Sequence, residues 1–349
     1  MQELIQSTFQ ELIQSIFNDF CEDKIILRCE TIHSGLINST YKIETANERF
    51  ILQKINQLVF PNVKALLNNK IKTTHFLNAN GFSSLVFIPN KNGEFYTKMK
   101  DEIWQLSTYI PSIVYERIYT NEIAAKVGNY LAKFHKALLD FPILELEYTI
   151  PDFHNTIKRF YDFEECVKKA YPERLTEAKE SIAFLESNFK NIEEVAIDIN
   201  SGKIPLRVVH NDTKVGNMLF DENGNILCII DFDTIMPGSI LHDIGDALRT
   251  GANTSTEEEK DLSKVGFNIE IYEAFMNAYT EEASSFMSEN ESCNIHLSLP
   301  LILFEQACRF LGDYLANDHY YSTTYEDQNL IRAKTQIKLL QSVQLYLNL

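Results

Sequence analysis

A short segment near the middle of the chain carries acidic and amide side chains at a spacing suited to phosphate chemistry. The segment VHNDTKVGNMLF contains Asp212 and, five residues later, Asn217. After the turn cluster DENGN, an apolar run ends at Asp231. In a tight hairpin, Asn217 and Asp231 lie near the same end, and Asp212 lies on the loop above them. We therefore expect the three side chains to converge on one small volume.

Transfer of a phosphoryl group to an alcohol needs such a set. One carboxylate orients the attacking hydroxyl and accepts its proton, while a second carboxylate and a carboxamide hold Mg²⁺ on the phosphate oxygens. Clustered carboxylates at the end of a buried strand need a counter-ion, and Mg²⁺ carried by a nucleotide supplies one. The pattern H-x-D-x-x-x-x-N followed by D-F-D matches the spacing of the kinase catalytic loop. The sequence therefore predicts a magnesium-nucleotide site.

Composition limits the partners and the compartment. The chain has 349 residues, enough for two lobes, and a net charge of −17 that disfavours nucleic acid and anionic lipid as partners. The N-terminus has no signal-peptide pattern, and no apolar run reaches the ~20 residues of a membrane span. The six Cys have no CxxC spacing, which favours reduced thiols over zinc. We expect a cytoplasmic protein that binds small molecules, with its oligomeric state left open.

Hydrophobic patterning predicts a sheet-rich half followed by a helical half. A tandem repeat, QELIQSTF and QELIQSIF, predicts an N-terminal helix lying on the core. Strands are predicted over 24–32, 40–55 (two strands around a turn), 85–89 and 102–110, and helices over 60–78 and 121–139. This pattern indicates an α+β fold of two lobes: an N-lobe over 1–108, a hinge over 109–112 and a helical C-lobe over 113–349.

Several stretches resemble the aminoglycoside phosphotransferase and choline kinase superfamily. HNDTKVGNMLFD and CIIDFDTIMPGSILHDIGDALRTGAN carry the superfamily motifs. Together with CRFLGDYLANDHYY near the C-terminus, they are similar to the N-acetylhexosamine 1-kinases, and GLINSTYKI, FILQKIN, LAKFHKAL, PDFH and NLIRAKTQIKLLQS fit that group too. The resemblance spans residues 30 to 345, approximately. It implies a protein-kinase-like fold with a small sheet-rich N-lobe and a larger, mostly helical C-lobe.

The resemblance also implies a role for individual residues. Asp212 would be the catalytic base, Asn217 and Asp231 would bind Mg²⁺, and His210 and Asp243 would brace the loop. Nucleotide-binding residues would be Gly35, Asn38, Ser39, Thr40, Lys54, Tyr109 and Lys214, although Lys214 is equally well explained as a solvated side chain. Acceptor-binding residues would be His33, Leu36, Asp233, Thr234, Arg309 and Tyr320. For Arg309 a structural ion pair is an equal alternative, and Asp233 could instead support the metal.

The strand that should supply a phosphate-binding lysine departs from the kinase pattern. Kinases pair a strand Lys with a helix Glu. Here the strand ends in Gln53 and Lys54, which alternate between opposite faces, and charge favours Lys54. No Asp or Glu occurs between Glu48 and Glu94, so the following helix offers no acidic partner, and Asn68 or Asn69 would have to substitute.

The spacing of the acidic and amide residues predicts an ATP- and Mg²⁺-dependent kinase, and the resemblance implies that it phosphorylates a sugar hydroxyl, the anomeric 1-OH of an N-acetylhexosamine or a related sugar. The first alternative is an aminoglycoside-, choline- or homoserine-type kinase acting on another alcohol. The second is a catalytically inactive nucleotide-binding module, and the missing Lys–Glu pair is its only support.

Overall fold

The computed structural model describes residues 2–32 and 37–349, with the backbone alone over residues 2–8. The expected nucleotide-binding Gly35 and acceptor-binding His33 and Leu36 lie outside the described residues. The chain forms two compact units. The first comprises the residues up to Ser112 together with Leu144–Ile150, and the second comprises Ile113–Ile143 together with Pro151–Leu349.

An antiparallel sheet forms the centre of the first unit. Its strands are β1 (Arg28–Ile32), β2 (Ser39–Glu44), β3 (Arg49–Lys54), β4 (Phe87–Ile88), β5 (Thr97–Met99) and β6 (Glu102–Thr108). They lie in the order β1-β2-β3-β6-β4, with β5 also pairing with β6. Two helices accompany them, α1 (Gln2–Phe20) and α2 (Val63–Ala79). The predicted strand over 24–32 begins late because Ile25 and Leu27 are exposed.

One face of this sheet is covered by α1. Ile13, Ile16 and Phe17 of the helix are buried in one cluster with strand residues such as Leu52 and Trp104. Ile13, Ile16 and Phe17 are spaced i, i+3 and i+4, which places them on one face of the helix. The predicted N-terminal helix on the core is therefore confirmed.

The opposite face of the sheet carries α2. Val63, Leu66 and Leu67 of the helix form a buried cluster with Ile55 and Phe60, against which Ile103 of β6 packs. The helix begins after Asn62, whose side chain accepts a hydrogen bond from the N–H of Ala65. The two faces of the sheet are thus covered by different helices.

The segment 144–150 belongs to the first unit, whereas the sequence prediction placed all of 113–349 in the C-lobe. Asn69 of α2 donates to the carbonyl of Glu147 (2.7 Å) and accepts from its N–H (3.1 Å). Lys72 forms an ion pair with Glu145 at 2.8 Å. Because Asn69 is fully buried, its amide needs these backbone partners. The two hydrogen bonds hold the segment 144–150 against α2.

The second unit is mostly helical and carries five short strands. Its helices are α3 (Asn121–Ala137), α4 (Thr156–Lys169), α5 (Pro172–Asn200), α6 (Ile240–Gly251), α7 (Ile269–Ala283), α8 (Glu289–Asn294), α9 (Ser298–Leu315) and α10 (Gln328–Leu347). Its strands are β7 (Ile113–Val114), β8 (Arg207–Val209), β9 (Met218–Phe220), β10 (Ile226–Ile229) and β11 (Met236–Gly238). β9 lies between β10 and β7, and β8 pairs with β11. The α+β prediction is confirmed.

Helix α9 is the central element of the second unit. Seventeen of its eighteen residues are buried, and α4, α5, α6 and α10 all contact it. Within the described part of the chain, no helix combines the length and the apolar composition that crossing a bilayer requires.

Candidate functional site

The candidate site is built on the predicted hairpin of β9 and β10. Strand β8 delivers the chain to His210, and the loop that follows runs to Asn217 at the start of β9. The N–H of Ile230 donates to the carbonyl of Asn217 (2.8 Å), and Nε2 of His210 donates to the carbonyl of Ile230 (2.9 Å). Asp231 comes next, in the left-handed backbone region with φ 67°. The loop and the strand end are therefore held side by side.

Asp212 is surrounded by hydrogen-bond donors on this loop. Nδ2 of Asn217 donates to both the carbonyl and Oδ2 of Asp212, each at 2.8 Å. Nζ of Lys214 lies 2.8 Å from the same Oδ2 atom. The negative charge of Asp231 acts on Lys214 as well, raising its pKa, which places Asp231 within electrostatic reach of this group. The structure thus gathers the residues that the spacing predicted.

Electrostatics keep Asp212 ionised. Burial would raise the pKa of Asp212, but the charge and hydrogen bond of Lys214, with smaller contributions from His210 and Asn217, lower it overall. Burial likewise opposes the charge on Lys214, yet the carboxylates of Asp212 and Asp231 raise its pKa. Burial lowers the pKa of His210, whose Nδ1 accepts from the N–H of Asp212 at 3.3 Å. At neutral pH the loop therefore presents a carboxylate beside a neutral imidazole.

Asp243 of α6 accepts hydrogen bonds from the backbone of the loop. Its Oδ2 accepts from the N–H of His210 (2.8 Å) and its Oδ1 from the N–H of Asn211 (2.6 Å). The ring of His135 contacts Oδ2 at 3.0 Å and is itself bonded to the hydroxyl of Tyr279 at 2.9 Å. Asp243 is fully buried. This geometry supports the bracing role that the resemblance implies for Asp243.

Two of the expected acceptor-binding residues lie beside the same loop. Thr234 is buried, donates its hydroxyl to the carbonyl of His210 (2.8 Å) and accepts from Nδ2 of Asn211 through its own carbonyl (2.9 Å). Its hydroxyl hydrogen is therefore committed to the loop. Asp233 precedes it in a short 3₁₀ helix and is 4 % exposed. The structure thus makes Thr234 part of the support of the loop.

The other two acceptor candidates lie in and after α9. The guanidinium of Arg309 stands 4.8 Å from the ring centroid of Phe153, and its Nη1 lies 3.8 Å from Glu305. The side chain of Tyr320 is largely exposed, while its N–H donates to Asp313 at 2.8 Å. Arg309 therefore makes the ion pair that the sequence left open, and its guanidinium also interacts with the side chain of Tyr320.

Lys54 and Gln53 of β3 point to opposite faces of the sheet. Lys54 lies opposite Trp104, on the face covered by α1, and its Nζ bonds Glu102 at 3.0 Å. Gln53 lies opposite Gln105, on the face covered by α2, and donates to the hydroxyl of Thr40 at 3.2 Å. Helix α2 carries no Asp or Glu, as expected, and the acidic partner of Lys54 is instead a strand residue, Glu102.

The remaining nucleotide candidates lie in the first unit. Oδ1 of Asn38 accepts from the N–H of Asn56 at 2.9 Å. Ser39 is the strand partner of Lys54, and both line a cavity of 440 Å³ near the end of β3. The ring of Tyr109 contacts the cations of Lys42 and Arg49, with centroid distances of 5.1 and 5.0 Å.

Sequence reasoning missed three buried polar residues around these elements. Gln105 is 1 % exposed, and neither atom of its amide has a hydrogen-bond partner. The side chains of His154 and Glu305 form a buried pair that reaches the loop carrying Asp212. The fragment PDFH, which ends at His154, was the one available signal, and it indicated only a family resemblance.

The donor set of the loop fits a magnesium ion. Among the residues that the structure describes, no group of three or more His, Cys, Asp or Glu side chains could hold a metal. The candidate set instead combines the carboxylate of Asp231 with the amide oxygen of Asn217, whose Nδ2 is turned to Asp212. Mg²⁺ needs only one or two protein oxygens because it keeps water and binds phosphate oxygens.

We expect His242 to make the protein acid-sensitive. Burial, with the neighbouring His154 charge, lowers the pKa of His242 to about 3 from 6.5, and neither ring nitrogen has a partner. The unfolded chain therefore binds a proton that the folded chain refuses, so stability falls as the pH drops below 6.5. Between these two pKa values, the free energy of unfolding falls by up to ~1.4 kcal/mol for each pH unit.

Denaturation midpoints of the wild type and His242→Leu between pH 7 and pH 4.5 measure this effect. The variant should lose less stability than the wild type as the pH falls. A constant offset between the two curves would contradict the assignment.

Comparisons with known proteins agree with this geometry. A profile of the phosphotransferase enzyme family matches residues 28–283. The chain is similar in structure to a microcompartment-associated aminopropanol kinase (TM-score 0.66, 14% identity, 97% of each chain covered). It is also similar to spectinomycin phosphotransferase in complex with ADP and spectinomycin (TM-score 0.60, 12% identity, 96% of this chain and 97% of that one).

A third similar structure is the choline kinase of Cryptosporidium parvum Iowa II, with a TM-score of 0.57, 14% identity and coverage of 98% of this chain and 97% of that one. At these identities the likeness shows a shared kinase-like fold. The profile match covers most of the chain and includes the whole loop from His210 to Asp231. The chain therefore belongs to the phosphotransferase enzyme family and is a phosphotransferase that uses an alcohol group as acceptor.

Proposed function

We propose that this protein transfers the γ-phosphoryl group of ATP to a sugar, at the anomeric 1-OH of an N-acetylhexosamine or a related sugar. The observation that carries the transfer step is the ionised carboxylate of Asp212, held 2.8 Å from both Lys214 and the amide of Asn217. The support for a sugar acceptor is the similarity of three long segments to the hexosamine kinases and the type of side chain at the candidate acceptor positions.

In this proposal the side chains of the loop divide the chemistry. Asp212 accepts a hydrogen bond from the acceptor hydroxyl and takes its proton as the bond to phosphorus forms. Lys214 carries the positive charge that stabilises the transferred group. Asn217 and Asp231 would hold Mg²⁺, which neutralises phosphate charge when bound. His210 stays neutral and holds the N–H of Asp212, so it takes no part in proton transfer.

Arg309 favours a hydroxyl-bearing acceptor over an amine. Its guanidinium is a fixed cation, because it cannot lose its proton in a protein. Its contact with the ring of Phe153 leaves N–H donors that could bind sugar hydroxyl or acetamido oxygens. An ammonium group, as in choline or an aminoglycoside, would be repelled by the same cation. Arg309 is thus the observation against the amine-kinase alternative.

An acceptor screen tests the proposed substrate class. ADP release with ATP and Mg²⁺ is measured over N-acetylglucosamine, N-acetylgalactosamine, galactose, choline, homoserine, aminopropanol and an aminoglycoside. We expect turnover with an N-acetylhexosamine, a product that has lost its reducing end, and loss of activity on chelation of Mg²⁺. Turnover with an amino alcohol alone would reassign the acceptor, and the absence of turnover together with retained Mg-ATP binding would favour the inactive nucleotide-binding module.

Gln53, and not Lys54, is proposed to contact the donor nucleotide. Gln53 shares the α2 face of the sheet with Gln105, whose buried amide lacks hydrogen-bond partners. A buried amide without partners costs free energy, which a bound polar group or water recovers. Lys54 is neutralised by Glu102 on the other face. Charge favoured Lys54 as the nucleotide contact, but the direction of the two side chains favours Gln53.

Replacing each of these two neighbouring residues by alanine provides a matched pair of variants. Gln53→Ala should raise KM for ATP by about tenfold, the value of one hydrogen bond to a charged group. Lys54→Ala should change KM by less than about threefold, because an exposed ion pair contributes little. Kinetics and calorimetry with Mg-ATP measure both. A larger effect for Lys54→Ala would restore the original assignment.

A further inference from the structure

His154 connects helix α9 to the loop that carries Asp212. Its Nδ1 lies 2.7 Å from Oε1 of Glu305, and its Nε2 lies 3.1 Å from the carbonyl oxygen of Asn211. Glu305 is fully buried, and its second oxygen accepts from the hydroxyl of Thr156 at 2.7 Å. All of these residues belong to the second unit.

The partners of His154 determine where its protons lie. The carbonyl oxygen of Asn211 can only accept, so Nε2 must carry a hydrogen. Nδ1 faces a carboxylate oxygen, and the pair shares one further proton. Burial would raise the pKa of Glu305, but the charge and hydrogen bond of His154, aided by Arg309, lower it to about 2. Nε2 therefore donates to the loop, while Nδ1 is bonded to the buried carboxyl group of Glu305.

The peptide group between Asn211 and Asp212 is held at both edges. Its carbonyl accepts from His154, and its N–H donates to Nδ1 of His210 at 3.3 Å. The six atoms of a peptide group are coplanar, so fixing both edges fixes the orientation of the plane. That plane sets the direction in which the Cα–Cβ bond of Asp212 leaves the backbone. Asn211 is left-handed (φ 64°), a conformation that needs such support.

We propose that His154, held by Glu305, is a positioning residue for Asp212. Its two ring nitrogens bond Glu305 and the carbonyl of Asn211, and it acts by fixing the 211–212 peptide plane. This inference rests on the proposed role of Asp212 as catalytic base. A displacement of about 1 Å at the base is enough to cost up to about 100-fold in rate.

Kinetics of three variants test the proposal. His154→Ala should lower kcat by about 10- to 100-fold and leave KM for both substrates within about threefold. His154→Gln should recover much of kcat, because the glutamine amide places an N–H near the position of Nε2. The matched control is His242→Leu, since His242 is a buried histidine whose ring centroid lies 4.8 Å from that of His154 and whose ring nitrogens have no hydrogen-bond partner. It should retain wild-type kcat.

Three results would overturn the proposal. The first is a wild-type kcat in His154→Ala with a loss of stability alone, as expected of a core histidine. The second is a raised KM with unchanged kcat, as expected of a substrate contact. The third is a crystal structure of His154→Ala in which the 211–212 peptide plane keeps its wild-type orientation. That structure decides the matter even if no acceptor is turned over, an outcome that would instead reject the proposed function.

Discussion

Asp212→Asn should lower kcat by about 10²–10⁴-fold, the usual contribution of a general base. Asparagine keeps the size of the side chain and one oxygen that can accept from Asn217 and Lys214. It cannot take a proton from the acceptor hydroxyl. KM for ATP should change little, because the proposed metal ligands are intact. Steady-state kinetics with the best acceptor measures the loss.

The control for this variant is Asp140→Asn, an exposed aspartate in the same unit that should retain wild-type kcat. Calorimetry with Mg-ATP separates lost chemistry from lost folding, since the Asp212→Asn protein should still bind the nucleotide. An unchanged kcat would show that Asp212 is not the base, and it would remove the basis of the proposed mechanism.

Asp243→Ala should cost about 3–5 kcal/mol of folding free energy, the value for breaking one buried charged network. The substitution leaves the N–H groups of His210 and Asn211 and the ring of His135 without their acceptor. Each of them is buried, so water cannot replace the lost oxygens. Denaturant unfolding curves measure this loss of free energy. The control Asp140→Ala should change the free energy of unfolding by less than about 0.5 kcal/mol.

The pH dependence gives a second check on Asp243. Burial would raise the pKa of Asp243, but the hydrogen bond and charge of His135, with His210, lower it below the ordinary 3.8. The stability that the ionised Asp243 contributes to the folded protein is therefore present above pH 3.8. It is lost as the pH falls through the lower pKa of Asp243 in the folded state. The difference between wild type and Asp243→Ala should shrink in strong acid. A difference that is independent of pH would mean that packing, not charge, stabilises the loop.

The site was predictable where its residues are close in sequence. Asp212, Asn217 and Asp231 lie within twenty positions, and the turn at 221–225 brings β9 and β10 together by chain connectivity alone. The direction of Lys54 was not predictable in this way. Alternation assigned Gln53 and Lys54 to opposite faces, but which face carries α1 and which carries α2 depends on tertiary packing.

Long-range partners were also beyond the reach of the sequence. His154 and Glu305 are 151 residues apart, and no periodicity marks either one as a hydrogen-bonding partner of the loop. The spacing of Asp246 and Arg249, three residues apart on a helix, favours a surface ion pair. The structure finds the ion pair at 2.7 Å but buries it, because α6 is enclosed by its neighbours in the second unit. Spacing predicted the contact, whereas its burial depended on the whole fold.

The return of segment 144–150 to α2 has a consequence for protein engineering. The chain passes between the two units three times, after Ser112, Ile143 and Ile150, and not once. A recombinant fragment that ends at Ser112 would leave the amide of Asn69 without the backbone of Glu147. A chimaera that exchanges the first unit with a relative must therefore graft two separate stretches of polypeptide.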